Sequence, residues 1–144
     1  MKKYILKTEK EIQKLVDDWA GKLKGGEIIA LEGDLGAGKT TFSKYLAKSL
    51  RIKKNLTSPT FVLMKIYKIG NNKYEIRKFV HVDCYRLDSV QELFYLGIEE
   101  YLNKADTVVV IEWADKIKNY LQKFKKVIWI KIEIDKNNRI FIFK

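Results

Sequence analysis

Eight consecutive residues, from Gly33 to Thr40, have the types and the spacing needed to bind a triphosphate. They read Gly-Asp-Leu-Gly-Ala-Gly-Lys-Thr and match the pattern G-x-x-x-x-G-K-[ST] without a mismatch. Glycines allow successive backbone N–H groups to turn inward and form a nest for phosphate oxygens. We expect the Lys39 ammonium to meet the β- and γ-phosphates and the Thr40 hydroxyl to ligate Mg²⁺. This P-loop pattern predicts a nucleoside triphosphate site rather than a simple glycine-rich turn.

Two acidic residues at predicted strand ends supply what hydrolysis needs beyond phosphate binding. Glu112 follows the apolar residues 108–111 in a Walker-B-like arrangement, and Asp83 ends the run 79–83. Because ligands bind at the carboxyl ends of parallel strands, we expect both carboxylates beside the P-loop. The residues alone leave two other interpretations open: Glu112 as the cap of a following helix, and Asp83 as a turn residue.

The only proline, Pro59, indicates a rigid segment near the same site. It is expected to hold residues 58–61 extended, so that Thr60 presents its hydroxyl near the γ-phosphate. An ordinary edge-strand entry would account equally well for the proline. The single histidine, His81, is interpreted as structural rather than catalytic, with Asp83 or Tyr85 as its expected partner.

The elements that must position these residues alternate between strands and helices. Capping boxes at Thr8/Glu11 and Ser89/Glu92 predict two helix starts. The pattern predicts an α/β fold with a mainly parallel central sheet, a three-layer P-loop NTPase-like architecture, and a single domain over residues 1–144. The predicted strands cover residues 4–6, 27–32, 61–67, 74–82, 107–111, 127–134 and 139–143, with a hairpin turn at 70–72 and helices at about 9–23, 41–50, 89–97 and 113–124.

Composition and charge narrow the classes of function. The formal net charge is +11, but 25 of the 29 basic residues are lysines spread along the chain, which does not favour a dedicated RNA-binding face. No apolar run approaches the ~20 residues of a membrane span, and the first residues do not resemble a secretory signal. A single cysteine, Cys84, excludes an internal disulfide. We expect a cytoplasmic protein.

Residues 103–106 read Asn-Lys-Ala-Asp, the N-K-x-D string with which GTPases recognise guanine. In GTPases this string follows a buried strand, whereas here it follows a helical pattern and precedes a strand. The placement argues against guanine specificity, so ATP is the predicted nucleotide.

Five segments together carry a family resemblance. In chain order they are GDLGAGKTTF at 33–42, SPTF at 58–61, HVDCYRL at 81–87, ELFYLGI at 92–98 and IEW at 111–113. The chain resembles the TsaE (formerly YjeE) family, the bacterial P-loop ATPases of tRNA threonylcarbamoyladenosine synthesis. The likeness runs over about residues 8–135, and Ala114 stands where many members carry proline.

The resemblance implies a weak, Mg²⁺-dependent ATPase that assists a TsaD–TsaB pair. In that family TsaD transfers the threonylcarbamoyl group to the adenosine next to the anticodon, so contact with tRNA is expected only through the complex, with no DNA or membrane partner. Tyr85 and Arg86 are expected to shape the nucleotide pocket or the partner surface. The implied catalytic residues are Lys39, Asp83, Glu112 and Thr60, and the candidate metal ligands are Thr40, Glu112 and Asp83. The predicted ATP-binding residues are Gly33, Asp34, Leu35, Gly36, Ala37, Gly38, Lys39, Thr40, Thr41, Trp113 and Asp115.

Two other functions are compatible with the same loop. A small-molecule kinase would normally carry a lid with arginines, and this chain has four arginines and no lid-sized insertion. A nucleotide-dependent binding module without catalysis would not need the two strand-end acids.

Overall fold

The structure, a computed structural model, describes residues 1–70, 72 and 74–144. Within them a seven-stranded sheet has the order β1-β7-β6-β2-β5-β4-β3. The strands are β1 (Lys2–Leu6), β2 (Ile28–Glu32), β3 (Met64–Lys68), β4 (Lys78–Asp83), β5 (Thr107–Glu112), β6 (Val127–Asp135) and β7 (Asn138–Phe143). The helices are α1 (Glu9–Ala20), α2 (Lys39–Ser49), α3 (Gln91–Tyr95) and α4 (Lys118–Leu121), with 3₁₀ turns at Ile98–Glu100 and Ala114–Ile117.

The four central strands, β6, β2, β5 and β4, run parallel, whereas β1, β3 and β7 pair antiparallel at the two sides. β2 up to Leu31 and β5 from Val108 to Ile111 are apolar because helices cover both faces of these strands. The predicted α/β class with a parallel sheet centre is therefore confirmed.

Each face of the sheet has its own apolar core. On one side the long helices α1 and α2 pack over it, with Phe42 fully buried and its ring 5.9 Å from the Trp19 ring and 6.1 Å from the Phe141 ring. On the other side the short helices bring Leu93 and Leu121 against the opposite side chains of the same strands. These two cores make the predicted three layers.

Each predicted capping box forms only in part. The Thr8 hydroxyl accepts from the backbone N–H of Glu11 at 3.2 Å, but the Glu11 carboxylate accepts from Lys7, at 2.6 Å. Before α3 the Glu92 carboxylate accepts from the N–H of Ser89 at 3.2 Å, but the Ser89 hydroxyl accepts from Gln91 instead of Glu92, and the helix starts after Val90 with no side-chain cap among the described residues. Thr8 thus satisfies a backbone donor that the start of α1 leaves unpaired, whereas Glu92 holds the chain just before α3.

Three predicted elements differ from the structure. Residues 60–63 form a turn rather than an extended run: the N–H of Leu63 donates to the carbonyl of Pro59 at 2.6 Å, and Leu63 has φ 67°. Proline favours turn starts, so Pro59 sets a turn here rather than a strand. The return strand begins at Lys78 instead of residue 74. At 70–72 the predicted hairpin turn includes Asn71, which lies outside the described residues.

The predicted helix 113–124 is broken into a 3₁₀ turn and the four-residue α4. It begins after Trp113, whose backbone is left-handed with φ 57°. A non-glycine residue rarely adopts this conformation, and it redirects the chain as it leaves β5.

Among the described residues, no helix combines the length and the apolar composition that crossing a bilayer would require.

Phe42→Ala should lower the free energy of unfolding by about 3–5 kcal/mol, because it empties a fully buried ring site between α2, α1 and the sheet. Denaturant unfolding measures the loss. The matched control is Tyr95→Ala, an aromatic deletion at a side chain that is 89% exposed, which should change stability by less than about 0.5 kcal/mol. Equal effects of the two variants would contradict the core described here.

Candidate nucleotide site

The glycine loop links the end of β2 to the start of α2. Gly38 directly precedes the helix with φ 119°, a conformation that strains other residues, and no atom lies within 4 Å of where its Cβ would stand. At Gly33 a Cβ would approach the carbonyl oxygen of Ile132 to 2.4 Å, so only glycine fits against β6. The loop is thus pressed against the sheet at Gly33 and open at Gly38, where a ligand can approach the backbone.

Lys39 lies folded back onto the loop. Its ammonium donates to the carbonyls of Gly33 at 2.6 Å and Asp34 at 2.8 Å, and it stands 4.0 Å from the ring centroid of Trp113. Burial lowers the pKa of Lys39 from its ordinary value, an effect that the negative charges of Glu112 and Asp83 oppose. A buried cation surrounded by carbonyls and carboxylates is poised to exchange those partners for phosphate oxygens.

Glu112 joins the phosphate loop to the neighbouring strand. Its Oε1 accepts a hydrogen bond from the Thr40 hydroxyl at 2.7 Å, and the residue is 2% exposed. This contact exists because β2 and β5 are parallel neighbours, with Leu31 opposite Glu112 in the register. The Walker-B-like placement is therefore observed, and the alternative of a simple helix cap does not describe the carboxylate.

His81 contacts Oε2 of the same carboxylate through its Nε2 atom. This corrects the expectation that Asp83 or Tyr85 would be its partner. In the parallel register His81 stands opposite Val110, so Glu112 is its diagonal neighbour on the adjacent strand. Long side chains reach such diagonal neighbours across a sheet, which allows the histidine and the glutamate to meet. His81 is completely buried, as a structural role requires.

Asp83 ties the proline segment to the sheet. Its Oδ2 accepts from the Thr60 hydroxyl at 2.9 Å, and its Oδ1 accepts from the backbone N–H of Tyr85 at 2.8 Å. Ser58 and Thr60 hydroxyls lie 2.7 Å apart, and because the Thr60 hydrogen points to Asp83, Ser58 is the donor of that pair. Oδ1 thus makes the turn contact that the turn interpretation predicts, and the same carboxylate lines the cavity beside the glycine loop. Asp83 also stands opposite Glu112 in the parallel register.

These side chains surround a cavity of about 280 Å³ at the carboxyl ends of β2, β5 and β4. It is lined by Leu35, Gly36, Gly38, Lys39, Thr40, Thr41, Ser58, Thr60, Asp83, Tyr85, Glu112 and Trp113. Four residues predicted to bind ATP are not part of this lining: Gly33, Asp34, Ala37 and Asp115. Gly33 and Asp34 contribute through their carbonyls to Lys39, whereas Asp115 is exposed on the 3₁₀ turn and lines a separate cavity with Val90 and Lys116.

Ser58 is a lining residue that the predicted set omits. Its position two residues before Thr60 could have indicated this, because the two hydroxyls can then contact each other, and Thr60 in turn contacts Asp83. Tyr85 was expected at the pocket or at a partner surface, and it lies at the pocket, with its ring 5.0 Å from that of Trp113.

A second, smaller cavity of about 190 Å³ lies on the other side of the glycine loop. It shares Gly36, Gly38 and Thr41 with the first cavity. Its other walls come from the β1–α1 junction and the β6–β7 hairpin: Lys7, Thr8, Glu9, Ile12, Asn137 and Arg139. The loop is thus flanked by an acidic cavity and a second cavity that no strand-end acid enters.

The sheet order, the two helical layers and the glycine loop define an α/β protein of the P-loop type. The family model described as "Threonylcarbamoyl adenosine biosynthesis protein TsaE" matches residues 6–141. The chain belongs to the TsaE family, whose role lies in tRNA threonylcarbamoyladenosine biosynthesis.

Individual relatives support this membership. The tRNA threonylcarbamoyladenosine biosynthesis protein TsaE of Rickettsia typhi is 39% identical, over 98% of this chain and 93% of its own length. Its counterpart in Aquifex aeolicus is 36% identical, over 88% of this chain and 98% of its own length. The crystal structure of Bacillus subtilis YdiB matches with a TM-score of 0.71 at 28% identity, over 99% of this chain and 83% of that one.

Cys84, beside Asp83, should be unreactive in the folded protein. Burial, together with the charge of Asp83, raises the pKa of its thiol from 9.0 to about 12, so near neutral pH the thiolate is about 1,000-fold rarer than in the unfolded chain. We expect iodoacetamide to label the native protein at pH 8 far more slowly than the protein in guanidinium, as followed by mass spectrometry. Similar rates in the two states would show that the thiol is accessible.

Proposed function

We propose that this chain binds Mg²⁺–ATP at the glycine loop and hydrolyses it slowly, as an accessory to tRNA threonylcarbamoylation by a TsaD–TsaB complex. The observation that carries the proposal is the Thr40–Glu112 hydrogen bond of 2.7 Å, beside the buried ammonium of Lys39. A P-loop hydroxyl and a strand-end acid are the two protein groups that hold Mg²⁺ in P-loop nucleotidases.

The residues present fit this ligand. The open backbone at Gly36 and Gly38 leaves room for phosphate oxygens, and Lys39 supplies the charge. Mg²⁺ takes one or two protein carboxylates and completes its shell with phosphates and water. Thr40 and Glu112 would hold it, with Asp83 close enough to bind through water. A bound Mg²⁺ would neutralise the charge that develops on the phosphates.

Asp83 is the residue that we assign to the hydrolytic water. It is 3% exposed, lies beside Glu112 and already accepts two hydrogen bonds. A carboxylate in this position can accept a hydrogen bond from water and orient it toward the γ-phosphate. Thr60, which donates to Asp83, would sense whether that phosphate is present.

The second cavity is the place where we put the nucleoside. It adjoins the loop on the side opposite Glu112, so a triphosphate lying in the loop would leave its base and ribose there. The polar groups of Thr8, Asn137 and Arg139 are available for hydrogen bonds in this cavity. A nucleotide would therefore bridge the β1–α1 junction, the glycine loop and the strand-end acids.

The partner would dock at the rim that carries Thr60. Phe61, the next residue, is 82% exposed, and the guanidinium of Arg86 stands 4.5 Å from its ring centroid. Exposed aromatic and arginine side chains are enriched where proteins bind each other. A partner that displaces Phe61 would also displace Thr60 and change its hydrogen bond to Asp83. Through this contact the partner would alter the rate of ATP hydrolysis. The proposed role also requires that the protein be located in the cytoplasm, where tRNA is modified.

Two substitutions separate binding from hydrolysis. Lys39→Ala should abolish measurable ATP binding, since it removes the charge that meets the phosphates. Asp83→Asn should leave ATP affinity within about threefold of wild type and lower turnover by about 100-fold or more. Calorimetry and ADP release measure the two quantities. Unchanged ATP affinity in Lys39→Ala would refute the site, and unfolding of Asp83→Asn would show that the turn role dominates.

The partner role is tested by ADP release with and without TsaD–TsaB. We expect stimulation by the pair, and Phe61→Ala should lose it by at least about tenfold while its basal rate is kept. Tyr95→Ala removes an equally exposed aromatic ring on α3 and should keep the stimulation. If the pair neither binds nor stimulates the wild-type protein, the accessory role is wrong. Phosphate transfer to an added nucleoside would support the kinase alternative instead.

A further inference from the structure

His81 is a buried histidine beside Glu112, and one of its ring nitrogens makes a hydrogen bond while the other makes none with any described residue. Its side chain is fully buried, and Nε2 contacts Oε2 of Glu112. The other ring nitrogen, Nδ1, is the buried side-chain nitrogen or oxygen that has no hydrogen-bond partner within the described part of the chain. Most buried polar atoms are paired, so this one calls for a physical reason.

The chemistry of the contact determines which atom carries the hydrogen. An ionised carboxylate can only accept, so Nε2 must be the donor and Glu112 the acceptor. A histidine kept only for packing would be better replaced by an apolar side chain, such as that of Phe79, the preceding residue on the same face of β4, which is also fully buried. The contact that Nε2 makes with Glu112 is therefore the physical reason for a histidine at this position, and the unpaired Nδ1 is its cost.

The Glu112 carboxylate is held from two sides. Oε2 accepts from His81 on β4, and Oε1 accepts from Thr40 at the start of α2. A carboxylate with one anchor can rotate about its last bond, whereas one with two anchors presents a fixed edge. Carboxylates that ligate metals are commonly held by such outer hydrogen bonds.

We propose that His81 is a positioning residue: its Nε2–H group fixes Oε2 of Glu112, so that Oε1 stays directed at Thr40 and at the Mg²⁺ of a bound nucleotide. The inference rests on the Mg²⁺–ATP site proposed above. It gives the histidine no contact with phosphate and no proton transfer. Its effect should therefore appear in the contribution of Mg²⁺ to nucleotide affinity and not in the affinity for metal-free nucleotide.

The test compares three substitutions that differ in where they place an N–H donor. Glutamine can bring its amide nitrogen close to the position of Nε2, asparagine reaches only the region of Nδ1, and leucine has no donor. The affinity for ATP is measured by the fluorescence of Trp113, which lines the cavity, in Mg²⁺ and in EDTA. Because Trp19 and Trp129 also emit, the same titration is repeated with each changed to phenylalanine.

We expect His81→Leu and His81→Asn to lose about 10- to 100-fold of the affinity gained from Mg²⁺, and His81→Gln to recover most of it. Affinity in EDTA should match wild type in all three. Phe79→Leu is the matched control, since it disturbs the same buried strand face without touching Glu112, and it should keep the full Mg²⁺ gain. In a Glu112→Gln background, His81→Leu should cause no further loss, because the group that it positions is gone.

The outcomes separate this inference from the proposed function. If wild type gains no affinity from Mg²⁺, the proposed metal site itself fails. If wild type shows the gain and His81→Leu shows it equally, the positioning role is overturned. Equal losses in the glutamine and asparagine variants would also overturn it, because the role depends on a donor at Nε2. Thermal unfolding of each variant identifies losses that come from misfolding; were leucine to unfold the chain, the glutamine–asparagine contrast would decide alone.

Discussion

The parallel pairing of β2 with β5, and of β5 with β4, is the constraint on which the rest of the structure depends. It brings three strand ends to one edge of the sheet, in a register that places Asp83 opposite Glu112 and Glu112 opposite Leu31 at the end of the phosphate-loop strand. Parallel pairing needs crossover connections, and the crossovers supply the helices that cover both faces. The same geometry that buries the sheet thus creates the site.

Burying several charged groups at this edge of the sheet costs free energy, and hydrogen bonds and opposite charges offset that cost. Lys39, Asp83, Glu112 and His81 are all nearly or completely buried. Burying charges is tolerated only when they are paired and hydrogen-bonded. Lys39 uses loop carbonyls, and the two acids use hydroxyls, a backbone N–H and an imidazole. These are partners that a phosphate, a metal ion or a water molecule can join or replace, so the pairing that stabilises the free protein is also what nucleotide binding would act on.

The segment around Pro59 connects this buried chemistry to the surface. Thr60 points inward to Asp83, while its neighbour Phe61 points outward beside Arg86. Adjacent residues thus carry an internal hydrogen bond and an exposed aromatic ring. The family membership places the chain in tRNA threonylcarbamoyladenosine biosynthesis.

Local sequence alone determined the elements whose patterns are strong and short-range. These are the glycine loop with its strand and helix, the buried strand at β5, the capped start of α1 and the acids at the strand ends. Tertiary structure decided the rest. Proline is compatible with both an extended entry and a turn, so the local sequence at Pro59 did not decide between them. The left-handed Trp113 depends on where the chain must go next. The partner of His81 is a long-range choice, since Glu112 is 31 residues away in the chain and lies on the adjacent strand. Residue type and spacing therefore predicted which groups could do chemistry, whereas strand register decided which of them touch, because contacts between strands are set by pairing across the sheet and not by distance along the chain.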